Sequence, residues 1–522
     1  MQTKIAGGMS ALFVAILELF FAEDGHDMHK AGIYLQLSDG SNVRIFVKVD
    51  MVVSDEPALH ALFACKGSGG LKPCISCSNV FNYKNARQVV EKDETNVAVY
   101  HTCTDVRKLR LHTAGTIRAL AARLAAAAPV LSKAKLAELE TRLGWNYAPR
   151  SCIFVDRMLA ICNPSDSVVF DWMHVYFVNG IFNTHLGQLM ISLKEHGITY
   201  ARLHTYLQQW HWPTAMSGAL DIFAAKRAKN SWDDKHLKVT ASEGLSVLPI
   251  LANFVHALHE NTALASVKDH ASCFLKLADV VRIIQRSARH KIDADELQYA
   301  IAQHLSAFKK LYGEDVMTPK FHYSIHFPGY IRRWGWVPAC FVLERKHKVP
   351  KRFANEVRNT SGAWETSVLR EVMCHHIAAL TTNMQHFAIE VGLQSPHSCS
   401  RRLVPLLQED LGVGAGAVFA TAKTARINAW ERCSKGDVVL FTDIAGHDHV
   451  GNVELHVSVR DGGGQAFVSV VQMWSHISNG PRSSKWRRRS DAGEYIMTED
   501  IKCCVVWGGT DDIVTVLNPW QV

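Results

Sequence analysis

A chain of 522 residues is too long for one hydrophobic core, which sets the expectation at about two to four domains. Apolar residues make up 48% and charged residues 20%, a globular composition that excludes the disordered and membrane-embedded classes. A net charge of +8 permits nucleic-acid binding without requiring it. Thirteen cysteines without disulfide-scaffold spacing favour a reducing compartment with free thiols, some of them available to a metal.

Residues 9–21 form an apolar run that imitates a targeting signal. Glu18 interrupts it, no small-x-small cleavage site precedes Glu23-Asp24, and it is too short to cross a bilayer, so a buried helix over 8–22 is predicted. Residues 32–37 and 43–49 read as strands joined by Ser38-Asp39-Gly40-Ser41-Asn42, whose Asp-Gly pair signals a hairpin. Val52-Val53-Ser54-Asp55-Glu56-Pro57-Ala58 reads as a strand that ends in a carboxylate and turns into a helix, with Pro57 suited to the first turn. Helical patterning covers 107–125 and 131–143, residues 151–155 read as a strand, and 174–312 read as almost all helical. Trp210, Trp212 and Trp232 mark buried contacts or turns in that stretch. Residues 318–335 break the helical pattern, and helices resume over 344–392. Residues 394–429 carry connecting signals such as Gln394-Ser395-Pro396, and after 430 short β-like runs between glycine and polar turns predict a small all-β barrel or sandwich.

Several stretches carry chemistry. Asp55 stands at the end of a strand with a helix N-terminus behind it, the setting of a metal ligand and equally of an ordinary N-cap. Cys74-Ile75-Ser76-Cys77 is tight enough to bite one zinc ion, with Cys65 upstream or His101 and Cys103 downstream to complete the ligand set; buried free thiols are the alternative. The glycines at 67, 69 and 70 make no phosphate loop, because no Gly-Lys-Ser/Thr follows. In Asp171-Trp172-Met173-His174, helical i,i+3 spacing puts a carboxylate and an imidazole on one face, for a supporting hydrogen bond first and direct metal ligation second. Pro319-Lys320-Phe321-His322-Tyr323-Ser324-Ile325-His326-Phe327-Pro328 and Arg332-Arg333-Trp334-Gly335 lead to Glu344, which opens the run Glu344-Arg345-Lys346-His347-Lys348. Arg482-Ser483-Ser484-Lys485-Trp486-Arg487-Arg488-Arg489 reads as a nuclear-localisation patch, a nucleic-acid contact or a solvated loop.

The order of these pieces, from strand-Asp55 and the C-x-x-C through Asp171-x-x-His174 and a long helical stretch to Glu344 beside basic residues, resembles a DDE transposase of the RNase H-like class. It resembles in particular the En/Spm-like (CACTA) and Kyakuja–Dileera–Zisupton transposases, over roughly residues 8 to 390. The resemblance implies an α/β fold: an RNase H-like core over 1–173 and 316–393, interrupted by an all-helical insertion over 174–315. A linker over 394–429 and a small β-barrel-like domain over 430–522 would follow. It implies Asp55 and Glu344 as ligands of magnesium or manganese, braced by Asp171 and His174. Two such ions sit roughly 4 Å apart, so the carboxylates of Asp55 and Glu344 are expected within roughly 10 Å of each other. Arg345, Lys346, Lys348, Lys351 and Arg352, with Lys485, Arg487, Arg488 and Arg489, would meet DNA phosphates.

The family's first catalytic aspartate, carried by an opening hairpin, has no counterpart here. Asp50 is too close to Asp55 in sequence, and Asp24 and Asp27 lie in a polar turn. The expectation is therefore an N-terminally truncated transposase descendant: nuclear, DNA-binding, without a membrane, possible as a homo-oligomer, and weak or inactive in cleavage. Its β domain would suit a chromatin or peptide partner. A domesticated DNA- or chromatin-binding module without catalysis is the alternative, as is a helical scaffold in which Asp55, Asp171 and Glu344 stand far apart.

Overall fold

The computed structural model describes residues 7–21, 27–37, 39–86, 98–341, 348–356, 364–383, 391–428, 431–443, 445–462, 464–488, 493–509 and 512–519. The chain divides into two units, Met1–His185 with Asp279–Phe341, and Leu186–Ala278 with Val342–Val522. Both helices and strands are present, with a large helical region and a C-terminal curled antiparallel sheet.

In the first unit the apolar run forms the helix Gly8–Phe20, but only one face is buried, through Ser10, Val14 and Leu17. Leu12, Ile16, Leu19 and Phe20 are exposed, which corrects the expectation of a buried helix: its apolar residues go all round, and its neighbours cover one stripe. The hairpin forms as read, with β1 (Ile33–Gln36) antiparallel to β2 (Asn42–Ile45) and Leu35 opposite Val43. Next come β3 (Val52–Ser54), then β4 (Val80–Phe81) parallel to β5 (Val99–Tyr100), and β6 (Val168–Phe170).

β3 and β6 pair in parallel, Val52 opposite Val168 and Ser54 opposite Phe170. Each strand is followed at once by an aspartate that caps a helix: Asp55 before Glu56–Phe63 and Asp171 before Trp172–Tyr176. Residues 151–155 are not a strand but a 3-10 turn, Cys152–Phe154, in which neighbouring Cys152 and Ile153 are both buried. That burial does not alternate as a half-buried strand would. The presumed break at 318–335 is itself helical, as Pro319–Tyr323, Ser324–His326 and Phe327–Trp334. Pro319 and Pro328 imitate breakers, yet they stand in first turns, where a missing N–H costs nothing.

In the second unit the helix Ala241–Asn261 is long and apolar enough to cross a membrane by length and composition alone. It starts at a Thr240–Glu243 capping box and buries Val247, Leu248, Ile250, Leu251 and Val255. The strands are β7 (Trp210–His211), β8 (Gly392–Gln394), β9 (His397–Ser398), β10 (Val418–Ala422), β11 (Thr424–Arg426), β12 (Arg432–Ser434), β13 (Val438–Thr442), β14 (Asp448–Asp461), β15 (Gly464–Asn479), β16 (Ser483–Arg488), β17 (Glu494–Met497), β18 (Ile501–Cys504), β19 (Trp507–Gly508) and β20 (Ile513–Leu517). The large sheet runs β18-β13-β14-β15-β16-β20-β19-β7, and β12-β11-β8 form a separate three-stranded sheet.

Of the expected linker over 394–429, residues 394–428 are described, and they are built into this unit rather than linking to it. β10 pairs with β14, β11 pairs with β8 and β12, and Leu407 of the helix Leu403–Leu411 packs with Phe419, Val457 and Val459. The glycines and prolines there punctuate strands too short to show alternation.

Candidate metal centre and the carboxylate strand ends

The loop after Glu56–Phe63 carries the C-x-x-C, and its approach is fixed at the Pro73 carbonyl. That oxygen accepts from the Tyr323 hydroxyl at 2.7 Å and lies 3.2 Å from His60 Nε2. Cys74 and Cys77 therefore face the helical segment of Tyr323, and there they meet His322 and His326. The Cys74 and Cys77 sulfurs lie 3.4 Å and 3.7 Å from His326 Nε2, which lies 3.3 Å from His322 Nε2. All four ligand atoms fall within 4.8 Å of one another.

Zinc–sulfur bonds near 2.3 Å and zinc–nitrogen bonds near 2.0 Å give a tetrahedron with edges of about 3.5 Å, so this donor set fits a closed zinc site. Burial alone would raise the Cys74 thiol, but its bond with Cys77 and the His322 and His326 imidazoles hold it well below the usual thiol range. Cys77 is pushed up by its bond with Cys74 and by burial. One proton is thus already loosened, as thiolate ligation requires.

Cys65, His101 and Cys103 do not join this centre, which corrects the expected ligand set. His101 Nε2 lies 3.0 Å from the Met317 carbonyl, and its Nδ1 accepts from the Tyr83 N–H at 3.1 Å, so both nitrogens are occupied. The Cys103 thiol donates to the Asp105 carbonyl at 3.6 Å, and Cys65 is held at an isolated bridge with Trp145. The completing histidines lie far along the chain. Their signal was available: His322-x-x-x-His326 has the spacing of a helical zinc-ligand pair.

The second feature is the shared end of β3 and β6. Asp171, almost wholly buried, accepts from the Met173 N–H at 3.1 Å, the Cys340 N–H at 3.0 Å, the His174 N–H at 3.4 Å and the His174 ring nitrogen Nδ1. This is the supporting hydrogen bond expected of the Asp-x-x-His pair. Asp55 caps its helix through Oδ1, accepting from the Ala58 N–H at 2.8 Å. Lys320 donates to the carbonyls of His174 and Val178 at 3.1 Å and 2.5 Å. Burial pulls its ammonium below the ordinary range, against the opposing pull of Glu56, Asp55 and Asp171. Asp50 is a tie rather than a ligand, since its carboxylate accepts from Trp334 Nε1 and from Arg333.

Glu344, Arg345, Lys346 and Arg489 lie outside the described residues, as does the side chain of Lys348, which opens the helix Lys348–Glu356. The expected approach of Asp55 to Glu344 therefore falls outside them too. Among the described residues, the groups with converging metal-ligand atoms include neither Asp55 nor Asp171. Lys351 and Arg352 are exposed, and Arg352 pairs with Glu356 at 3.8 Å. The 483–488 stretch is a strand and not a solvated loop. Ser484 and Trp486 point inward, Lys485 and Arg487 outward, and Arg488 lies over the Trp507 ring at 4.2 Å.

No protein-family model matches this chain, and no curated protein matches it either.

Proposed function

We propose that the chain is a transposase-derived DNA-binding protein on an RNase H-like scaffold, with feeble or absent metal-dependent strand cleavage. The observation that carries this reading is the position of Asp55 and Asp171. They directly follow the paired residues Ser54 and Phe170 at the same end of two adjacent parallel strands. Carboxylates gathered at neighbouring strand ends are what a metal-dependent polynucleotide transferase needs.

Weak cleavage follows from how those carboxylates are used. Asp171 accepts from four donors, and one oxygen of Asp55 is committed to a cap. The Lys320 ammonium already places a positive charge near Glu56, Asp55 and Asp171, where a hard cation would have to compete with it. Cys74, Cys77, His322 and His326 would hold a structural zinc. These residues join the loop after Asp55's helix to the helical segment that carries Lys320, and a bound ion would keep the strand ends in place. Lys351, Arg352, Lys485 and Arg487 supply phosphate contacts that position DNA without reading sequence.

The test is binding of the purified chain to unrelated duplexes at low and physiological salt, followed by plasmid nicking with magnesium or manganese. Affinity that falls steeply with salt, varies little with sequence and brings no nicking is expected. Robust nicking that Asp55→Ala abolishes refutes the loss of activity. No binding even at low salt refutes the DNA reading.

A further inference from the structure

The β-rich unit holds a second cluster that the proposed function leaves unused. Cys433 lies on β12, Asp437 just ahead of β13, and Cys504 at the end of β18. The turn between β12 and β13 closes with the Asp437 N–H donating to the Ser434 carbonyl at 2.9 Å, and the β13–β18 ladder sets Cys504 opposite Val439. Three separate stretches thus deliver two sulfurs and a carboxylate oxygen to within 4.8 Å of one another. The residues are 0%, 5% and 6% exposed in chain order.

Among the described residues, the sulfurs contact each other and two carbonyls, Cys433 the Ser434 carbonyl at 3.9 Å and Cys504 the Arg432 carbonyl at 3.7 Å. Asp437 Oδ1 accepts from the Thr214 N–H and hydroxyl, both at 2.9 Å, while Oδ2 accepts only the Ser434 N–H at 2.8 Å and keeps a lone pair. These donors are all neutral. The thiols sit in an apolar cluster with Ile427, Val439, Phe441 and Val453. A cation would add the positive charge that these neutral donors do not supply to the Asp437 carboxylate and to two thiolates.

We propose that Cys433, Asp437 and Cys504 bind a thiophilic divalent cation of the zinc class through both sulfurs and Asp437 Oδ2, with water as fourth ligand. Two thiolates select such an ion over magnesium or calcium. Binding releases the two thiol protons to solvent. Asp437 also lines a cavity of about 240 Å³ with Thr214, Lys435 and Val505. β12 belongs to the three-stranded sheet, whereas β13 and β18 belong to the large one, so the ion would bolt two sheets together.

The experiment is metal analysis of the full chain, with cobalt(II) replacement to report thiolate ligation. Two zinc equivalents per chain are expected. The Cys433→Ser/Cys504→Ser variant should lose one, and Cys74→Ser/Cys77→Ser the other, with circular dichroism showing which variants fold. Asp437→Asn keeps the size and one acceptor oxygen, and should weaken one equivalent about tenfold or more against a chromophoric chelator. That readout decides the matter if the double variant does not fold. A Cys433–Cys504 disulfide that persists in protein purified with a thiol reductant overturns the proposal, as does a metal content that neither Cys433→Ser/Cys504→Ser nor Asp437→Asn alters. Loss of one equivalent in those variants, with none bound at Cys74 and Cys77, upholds it and removes only the other centre.

Discussion

β3 and β6, three residues each, contribute few ladder hydrogen bonds, and side chains from distant parts of the sequence hold them. The Tyr330 hydroxyl accepts from the Phe170 N–H, Tyr323 stacks on the Phe170 ring with centroids 4.2 Å apart, and Asp171 gathers four donors. In the other unit β14 and β15 run 14 and 16 residues along a shared ladder, and apolar clusters fill the space beside it. The β3–β6 pair therefore depends on a few polar and aromatic contacts, each costly to lose. The β14–β15 ladder spreads its stability over many contacts. Perturbation should separate them.

The largest separation should come from the Cys74–Cys77–His322–His326 centre. Structural zinc supplies on the order of 10 kcal/mol of apparent binding energy in small zinc-dependent folds. Cys77→Ser is expected to release the metal and to abolish hydrogen-exchange protection around β3 and β6, while β14 and β15 stay protected. Equal loss in both units would break the comparison. Next in size is Asp171→Ala, which strands three backbone N–H donors and the His174 ring and should cost about 3–5 kcal/mol in urea unfolding. Val457→Ala, a truncation at a fully buried position of β14, should cost about 2 kcal/mol. A larger cost for Val457→Ala than for Asp171→Ala would reverse the argument.

Acid gives a smaller effect, aimed at the β-rich unit. His456 is fully buried, its ring nitrogens lie against the Ser469 hydroxyl and the Cys433 carbonyl, and burial brings its pKa down to about 4. The folded state thus favours the neutral ring. The associated stability is complete above the unfolded value near 6.5 and is lost as pH falls towards 4, roughly 3 kcal/mol in all and about 2 kcal/mol by pH 5. His456→Gln should flatten that dependence in urea unfolding of the β strands at pH 7 and pH 5. An unchanged slope would show that other groups carry the acid sensitivity.

The contrast between the units also explains what could be read from the residues alone. Val52-Val53-Ser54-Asp55-Glu56-Pro57 announces strand, cap and helix within six residues, because each of those signals is local. The hairpin around Asp39-Gly40 is equally local. β6 escaped notice because three residues cannot display a period of two. The partners of Cys74 and Cys77 in the candidate metal cluster are not singled out by the sequence, because closeness in sequence points to Cys65, His101 and Cys103, whereas His322 and His326 are brought in by the fold. Residues 394–429 read as a linker for a related reason: β10 pairs with β14, which lies more than thirty residues further along the chain.

The smallest effect separates the two roles open to Asp55. As an N-cap, its Oδ1 satisfies the Ala58 N–H, and Asp55→Ala should cost about 1 kcal/mol. Asp55→Ser keeps a capping oxygen while removing the carboxylate, and its stability should fall within a few tenths of a kcal/mol of the parent chain. A pure cap would leave that variant indistinguishable in every other respect. If the carboxylate also retains a remnant of cation affinity beside Glu56 and Asp171, manganese should weakly broaden the amide signals at the ends of β3 and β6. Asp55→Ser should then abolish the broadening at unchanged stability. Broadening that survives in Asp55→Ser would remove Asp55 from any metal role and leave it as the start of a helix.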